Sequence, residues 1–209
     1  MAKLLYVEAS PRKTRSSSIA AARAFLNAYR AAHPSDVVDT WDLWAEPLPE
    51  FDGAMLDAKY AVIHGTNQTP EQVRAWGQVT ALADRFKSAD KHLISLPMWN
   101  FGIPYKLKHL IDVITQPGLT FSFSPQAGYK GLVTGKAAAV TYARGGSYLP
   151  GSGAEGFDVQ KPYVELWLRF IGFTDLRSIV VEPTLGPPDL SEKAKALALE
   201  GATALGRTF

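Results

Sequence analysis

The sequence predicts an α/β fold built on a doubly wound, five-stranded parallel sheet with helices on both faces. Three observations carry that expectation. Strand-like and helix-like segments alternate five times along the 209 residues, an order that calls for β-α-β crossovers. Strand segments such as Leu4-Leu5-Tyr6-Val7 are continuously apolar, as strands covered on both faces are. No linker or internal repeat divides the chain, so residues 1–209 are expected to form a single domain.

The elements follow in order. Ser10-Pro11 ends the first strand, and a helix from about Ser18 carries Ile19, Ala22, Leu26 and Tyr29 on one side until His33-Pro34. Val37 to Leu43 reads as the second strand, followed by a Pro-rich surface loop over residues 46–51. Residues 53–69 are ambiguous, with room for a short helix. Pro70 suits the first position of the next helix, whose buried stripe is expected to be Val73, Trp76, Ala83 and Phe86. A strand over 92–97 precedes a helix after Pro104, with Leu107, Leu110, Ile111 and Ile114 at helical spacing. Residues 119–123 and 128–132 read as a hairpin, and Lys136 to Tyr142 as a strong strand. A Gly-rich loop leads to an apolar helix over 162–171. The last strand spans 176–181, and the last helix spans 191–205 with Ser191 as its N-cap.

Composition narrows the function classes. Apolar residues are 46% and charged residues 20%, which is globular rather than disordered usage. The formal charge is +2 with basic residues dispersed, so no nucleic-acid footprint is expected. There is no cysteine, which excludes disulfides, thiolate catalysis and cysteine-ligated metals. His33, His64, His92 and His109 show no metal-ligand spacing and are expected to be structural or solvent-facing. No apolar run reaches the length of a membrane span or a signal peptide, so a soluble cytoplasmic protein with no membrane partner is the expectation.

In open α/β sheets ligands bind beyond the carboxyl ends of the strands, where the strand order reverses. Three loops are expected there. The first, residues 10–18, holds Ser10, Ser16, Ser17 and Ser18 before a helix N-terminus, a setting suited to one terminal phosphate or to simple helix capping. It has neither a dinucleotide fingerprint nor a P-loop. The second is Pro97-Met98-Trp99-Asn100-Phe101, which suits a flat heterocycle with polar edges, or an ordinary strand-to-helix loop. The third is Ala143-Arg144-Gly145-Gly146, whose glycines allow either close ligand approach or a tight turn.

Together, these three loops resemble the FMN-dependent NADH-azoreductase family, which is flavodoxin-like and related to the NAD(P)H quinone reductases. Segments 131–136 and 170–175 resemble that family as well, in the same order and spacing. The resemblance implies that Ser10 and Ser16 to Ser18 hold the FMN phosphate. Pro97 to Phe101 would pack on the isoalloxazine and give it amide contacts, and Ala143 to Gly146 would approach its pyrimidine end. The chain has Trp99 where tyrosine is common in the family, Ala143 where a small polar residue is common, and Ser17 where glutamine is. The resemblance also implies a homodimer, with Phe123 and Trp167 among the aromatics lining the acceptor site.

The activity implied is NADH or NADPH oxidation, with quinones and azo compounds reduced through reduced flavin by a ping-pong mechanism. The catalytic work would lie with FMN and not with a side-chain nucleophile. A flavodoxin-like electron carrier without its own substrate is the alternative, disfavoured by the +2 charge where such carriers are acidic. A cofactor-free binding module is the third reading.

Overall fold

The computed structural model describes residues 1–209. Five parallel strands form the main sheet: β1 (Lys3–Glu8), β2 (Val37–Asp42), β3 (Lys91–Pro97), β6 (Ala137–Ala143) and β7 (Asp175–Val181). Their spatial order is β2-β1-β3-β6-β7. A separate antiparallel hairpin joins β4 (Phe121–Ser124) to β5 (Gly128–Gly131). The helices are α1 (Ser17–Ala32), α2 (Gly53–His64), α3 (Pro70–Ser88), α4 (Tyr105–Ile114), α5 (Gln160–Ile171) and α6 (Pro188–Thr208). The doubly wound five-stranded sheet is therefore as expected.

The order reverses at β1. The chain steps outward from β1 to β2, then returns to the other side of β1 to make β3. The carboxyl ends of β1 and β3 therefore flank an open crevice, the place where such sheets take ligands.

Two apolar layers cover the sheet. On one face Leu4, Tyr6, Leu93 and Ala139 meet α1 and α6. On the other, Leu5, Val7, Ile94, Val140 and Tyr142 meet α3, α4 and α5. Adjacent strand residues point to opposite faces, so both sets are apolar and each strand reads as one continuous run. Where α6 crosses α1 the helices nearly touch, and a Cβ on Gly206 would collide with the Phe25 carbonyl oxygen. The Phe209 ring closes that contact, 5.2 Å from Phe25.

Two details of the elements differ from expectation. Val73 is 54% exposed, and the buried positions of α3 are Val79, Ala83 and Phe86. Trp76 and Ala75, in the same half of α3, are partly buried against the core, so only Val73 of the expected stripe is left open. The last helix starts at Pro188 and not at Ser191, with proline supplying the pre-set φ of the first turn. Ser191 lies inside that turn and donates its hydroxyl to the Pro188 carbonyl at 3.1 Å.

Candidate active site

The first loop leaves β1 at Ala9, and a short 3-10 turn over Lys13–Arg15 carries it to α1. Ser16 caps the helix: its backbone is extended and its Oγ accepts from the Ile19 N–H at 3.4 Å. Ser16 Oγ lies 3.1 Å from Ser18 Oγ, and Ser10, Ser16 and Ser18 are all buried. The N–H groups of Ser17 and Ser18 find no acceptor in the chain. Clustered hydroxyls and free amides at the positive end of a helix dipole fit a dianionic phosphate.

The loop is anchored from below. Lys13 is left-handed at φ 49°, and its Nζ reaches Glu8 Oε1 at 2.8 Å and Asp42 Oδ2 at 2.5 Å. Its charge is spent on those carboxylates, and they hold its pKa above the ordinary lysine value against the opposing effect of burial. Glu8 Oε2 accepts from the Tyr6 hydroxyl at 3.3 Å, and that hydroxyl sits 2.9 Å from Ser95 Oγ. Burial is the main reason the Tyr6 phenol is pushed well above its ordinary value. This polar group ties together the ends of β1, β2 and β3. Sequence reading missed it, since its members are scattered over 90 positions and lie within apolar runs.

The second loop turns back on itself. Trp99 and Gly102 exchange backbone hydrogen bonds at 3.1 and 2.9 Å. The two residues between them, Asn100 and Phe101, are both left-handed, at φ 47° and 68°. Neither is glycine, so the turn holds about 1–2 kcal/mol of strain per residue. Strain of this kind is concentrated at ligand sites. The Asn100 and Phe101 N–H groups have no acceptor within the chain. The Met98 N–H donates to the Ala143 carbonyl at 2.7 Å, so the second loop starts bonded to the third.

In the third loop, expected to approach the pyrimidine end of the ring, the Arg144 side chain is engaged within the protein. Arg144 is 3% exposed. Its Nε donates to Gln160 Oε1 at 3.1 Å, and its guanidinium pairs with Asp158 at 2.8 Å and Glu182 at 3.3 Å. Its carbonyl accepts from both the Thr184 N–H and the Thr184 hydroxyl at 2.8 Å. Arg144 thus ties three carboxyl-end segments together and leaves Gly145 and Gly146 as the exposed surface. Their N–H groups are unpaired within the chain, and a Cβ on Gly145 would press within 3.0 Å of Leu185. Asp158, Gln160 and Glu182 carry no motif that sequence reading could have found.

Pro97 closes β3, Met98 and Ala143 join the two loops, and all three loops converge on the β1–β3 crevice. Phe123 and Trp167 do not join them within one chain. Trp167 is 5% exposed, packs 5.7 Å from Phe86, and donates its indole N–H to Thr115 Oγ1 at 3.0 Å. It is a core residue whose edge reaches the floor of a groove of about 1190 Å³ between α4 and α5. Phe123 is 58% exposed on the hairpin. That hairpin links the end of α4 to the start of β6, so it lies toward the opposite, amino-terminal edge of the sheet.

A family described as having a flavodoxin-like fold matches residues 2–204. The chain belongs to that family. An FMN-dependent NADH:quinone oxidoreductase of Desulfotalea psychrophila is 52% identical, covering 99% of this chain and 97% of that one. The protein of the same name from Nitratidesulfovibrio vulgaris is 50% identical over the whole of both chains. Among solved structures, an azoreductase from Bacillus anthracis superposes with a TM-score of 0.91 at 32% identity, covering both chains completely. A second B. anthracis protein, an FMN-dependent NADH-azoreductase in complex with FMN, gives a TM-score of 0.86 at 27% identity, covering 99% of this flavodoxin-like chain and all of that one.

Proposed function

We propose that the protein is an FMN-dependent oxidoreductase that takes hydride from a reduced nicotinamide dinucleotide and reduces quinones and azo compounds. The observation that carries this reading is the convergence of three loops, each with unpaired backbone amides, on the crevice where the strand order reverses. The names of relatives that match over nearly the full length support it.

The residues present fit FMN. Ser10, Ser16 and Ser18, with the free amides of Ser17 and Ser18, suit its single phosphate. The Asn100 and Phe101 amides suit one polar edge of a flat ring, and those of Gly145 and Gly146 the other. FMN, when bound, supplies the redox chemistry by accepting hydride at its ring and passing two electrons to a second substrate. The protein's part is to bind and orient. Strain held at Asn100–Phe101 keeps two donors aimed without reorganisation, and the Arg144 hub fixes the opposing glycine wall.

A single exposed ring face serving donor and acceptor in turn implies ping-pong kinetics. Double-reciprocal plots against NADH at several quinone concentrations should be parallel, whereas intersecting lines would require both substrates to be bound together. We also propose a homodimer formed over the groove between α4 and α5. The groove has apolar lining, including Tyr163, Leu166 and Phe170, and Leu166 is largely exposed in one chain. Pairing there would carry the hairpin's Phe123 toward the site of the other copy.

A further inference from the structure

Beside the crevice, on the β2 side, an aromatic group extends outward from Trp99 of the second loop. Trp44 follows β2 and meets Trp99 at 5.9 Å between ring centroids and Tyr105 at 5.4 Å, while Trp99 and Tyr105 are 6.1 Å apart. None of the three pairs is stacked: Tyr105 stands edge-on to Trp44 at 78°, and the other two pairs are tilted. Trp44 is held in place from both ends. Its indole N–H donates to the Ala9 carbonyl at 3.1 Å, and its backbone N–H donates to Asp42 Oδ1 at 3.0 Å.

The other oxygen of that Asp42 carboxylate binds Lys13. One carboxylate therefore fastens the aromatic group to the serine loop. Lys13 lies between Arg12 and Arg15, both exposed, and neither guanidinium has an ion pair or hydrogen bond within the chain. The loop thus neutralises its middle cation internally and leaves two outer ones free on a loop that Asp42 ties to the aromatic group. Flat rings and unpaired guanidinium groups on linked segments can recognise a heterocycle joined to phosphates, by stacking and by charge-assisted hydrogen bonds.

We propose that Trp44, braced by Trp99 and Tyr105, together with Arg12 and Arg15, holds the adenosine diphosphate half of the nicotinamide dinucleotide. The proposal rests on the flavin-reductase reading above and adds a site to it. The topology supports the direction. Nicotinamide must lie against the flavin ring, between the loops after β3 and β6. The loop after β1 and Trp44 after β2 lie on the other side of β3, where an extended dinucleotide would place its second half.

The test compares a whole donor with a truncated one. Holoenzyme and its Arg12→Ala/Arg15→Ala variant are assayed at saturating FMN and quinone with NADH and with reduced nicotinamide mononucleotide, which lacks the adenosine phosphate half. Both arginines are on the surface, so the fold should tolerate their loss. The Michaelis constant for NADH should rise about fivefold in the variant, the sum of two exposed charge contacts, while that for the mononucleotide stays put. Trp44→Leu should raise the NADH value about tenfold through lost stacking, again sparing the mononucleotide. ADP alone should bind wild-type holoenzyme in calorimetry and bind the double variant more weakly by the same factor. Equal shifts for both donors, no shift for NADH, or a change confined to the quinone would each overturn the assignment. A wild-type holoenzyme that oxidises neither donor would instead overturn the flavin-reductase reading, and this proposal with it.

Discussion

His92 makes stability depend on pH in a window that carboxylates do not share. The residue lies in β3, fully buried, with its ring 4.5 Å from Phe86 and 5.0 Å from Phe173. Its Nε2 lies 2.8 Å from the Phe86 carbonyl oxygen, so the neutral tautomer with hydrogen on Nε2 donates there, and Nδ1 has no partner. Burial lowers its pKa from 6.5 to about 4, helped by Lys136 and opposed by the Phe86 hydrogen bond and Asp90. A histidine kept neutral in the fold but free to protonate when unfolded contributes stability in full above its unfolded pKa. That contribution falls as pH drops through 6.5 and is exhausted below the folded value. The full difference is about 3 kcal/mol, of which about 2 kcal/mol is lost between pH 7 and pH 5. Asp36 and Asp39 have carboxyls held below their ordinary value, chiefly by the Ala2 N–H and by Arg85 respectively. Their contributions are present above the unfolded carboxyl pKa and lost below it, outside this window. His92→Gln keeps a donor for the Phe86 carbonyl and removes the titration. Urea unfolding followed by circular dichroism at pH 7 and pH 5 should show wild type losing about 2 kcal/mol more than the variant. Equal losses in the two proteins would refute the assignment of this pH dependence to His92.

Three further outcomes follow from the geometry. Replacing Ser16 and Ser18 together by alanine should weaken FMN binding at least tenfold in titrations of apoprotein, at about 1.5–3 kcal/mol per lost bond to a charged group. An accompanying loss of about 1 kcal/mol in stability is expected because Ser16 also caps α1. Trp167→Ala should cost about 3–5 kcal/mol of stability, read as a large fall in melting temperature, because it empties a core position and strands Thr115. Phe123→Ala should raise the Michaelis constant for bulky acceptors with FMN affinity unchanged, and sedimentation should show a dimer; a monomer at assay concentration would remove any route for Phe123 to an active site.

The fold was legible wherever a strand is covered on both faces, because Leu4 to Val7 and Leu93 to Leu96 show no polar alternation, Ser95 being the single small polar residue in the second run. Helix α2 was ambiguous for a physical reason. Its inward positions are Met55, Ala58 and Ala61, mostly small, while Leu56, Tyr60, Val62 and Ile63 face outward and erase the helical stripe. Its boundaries were nevertheless marked by Asp52, which caps the start, and by Gly65 after the end. The loops of the site could be found by their place after strands and by their composition. Their backbone state could not, since Asn100 and Phe101 adopt left-handed angles without a glycine to announce them. Arg144 showed the opposite limit. A charged residue next to paired glycines invites a ligand role, and only the fold reveals that residues 14 to 38 positions away neutralise it.

The close crossing of α1 and α6 bears on the order in which the protein matures. A ribosome delivers β1, the serine turn and α1 early, but beyond the sheet the surface that covers α1 comes from residues 188–209, including the Gly206 gap and the Phe209 ring. Until that segment is released, α1 lacks its neighbour, and Phe25 and Tyr29 stand uncovered on one side. The anion-binding end of the helix can then take its final position only after residues 188–209, and so the whole sheet, have been made. Cofactor capture should therefore wait until residues 188–209 are available to α1. A nascent chain stalled before residue 188 should bind FMN far more weakly than the released protein.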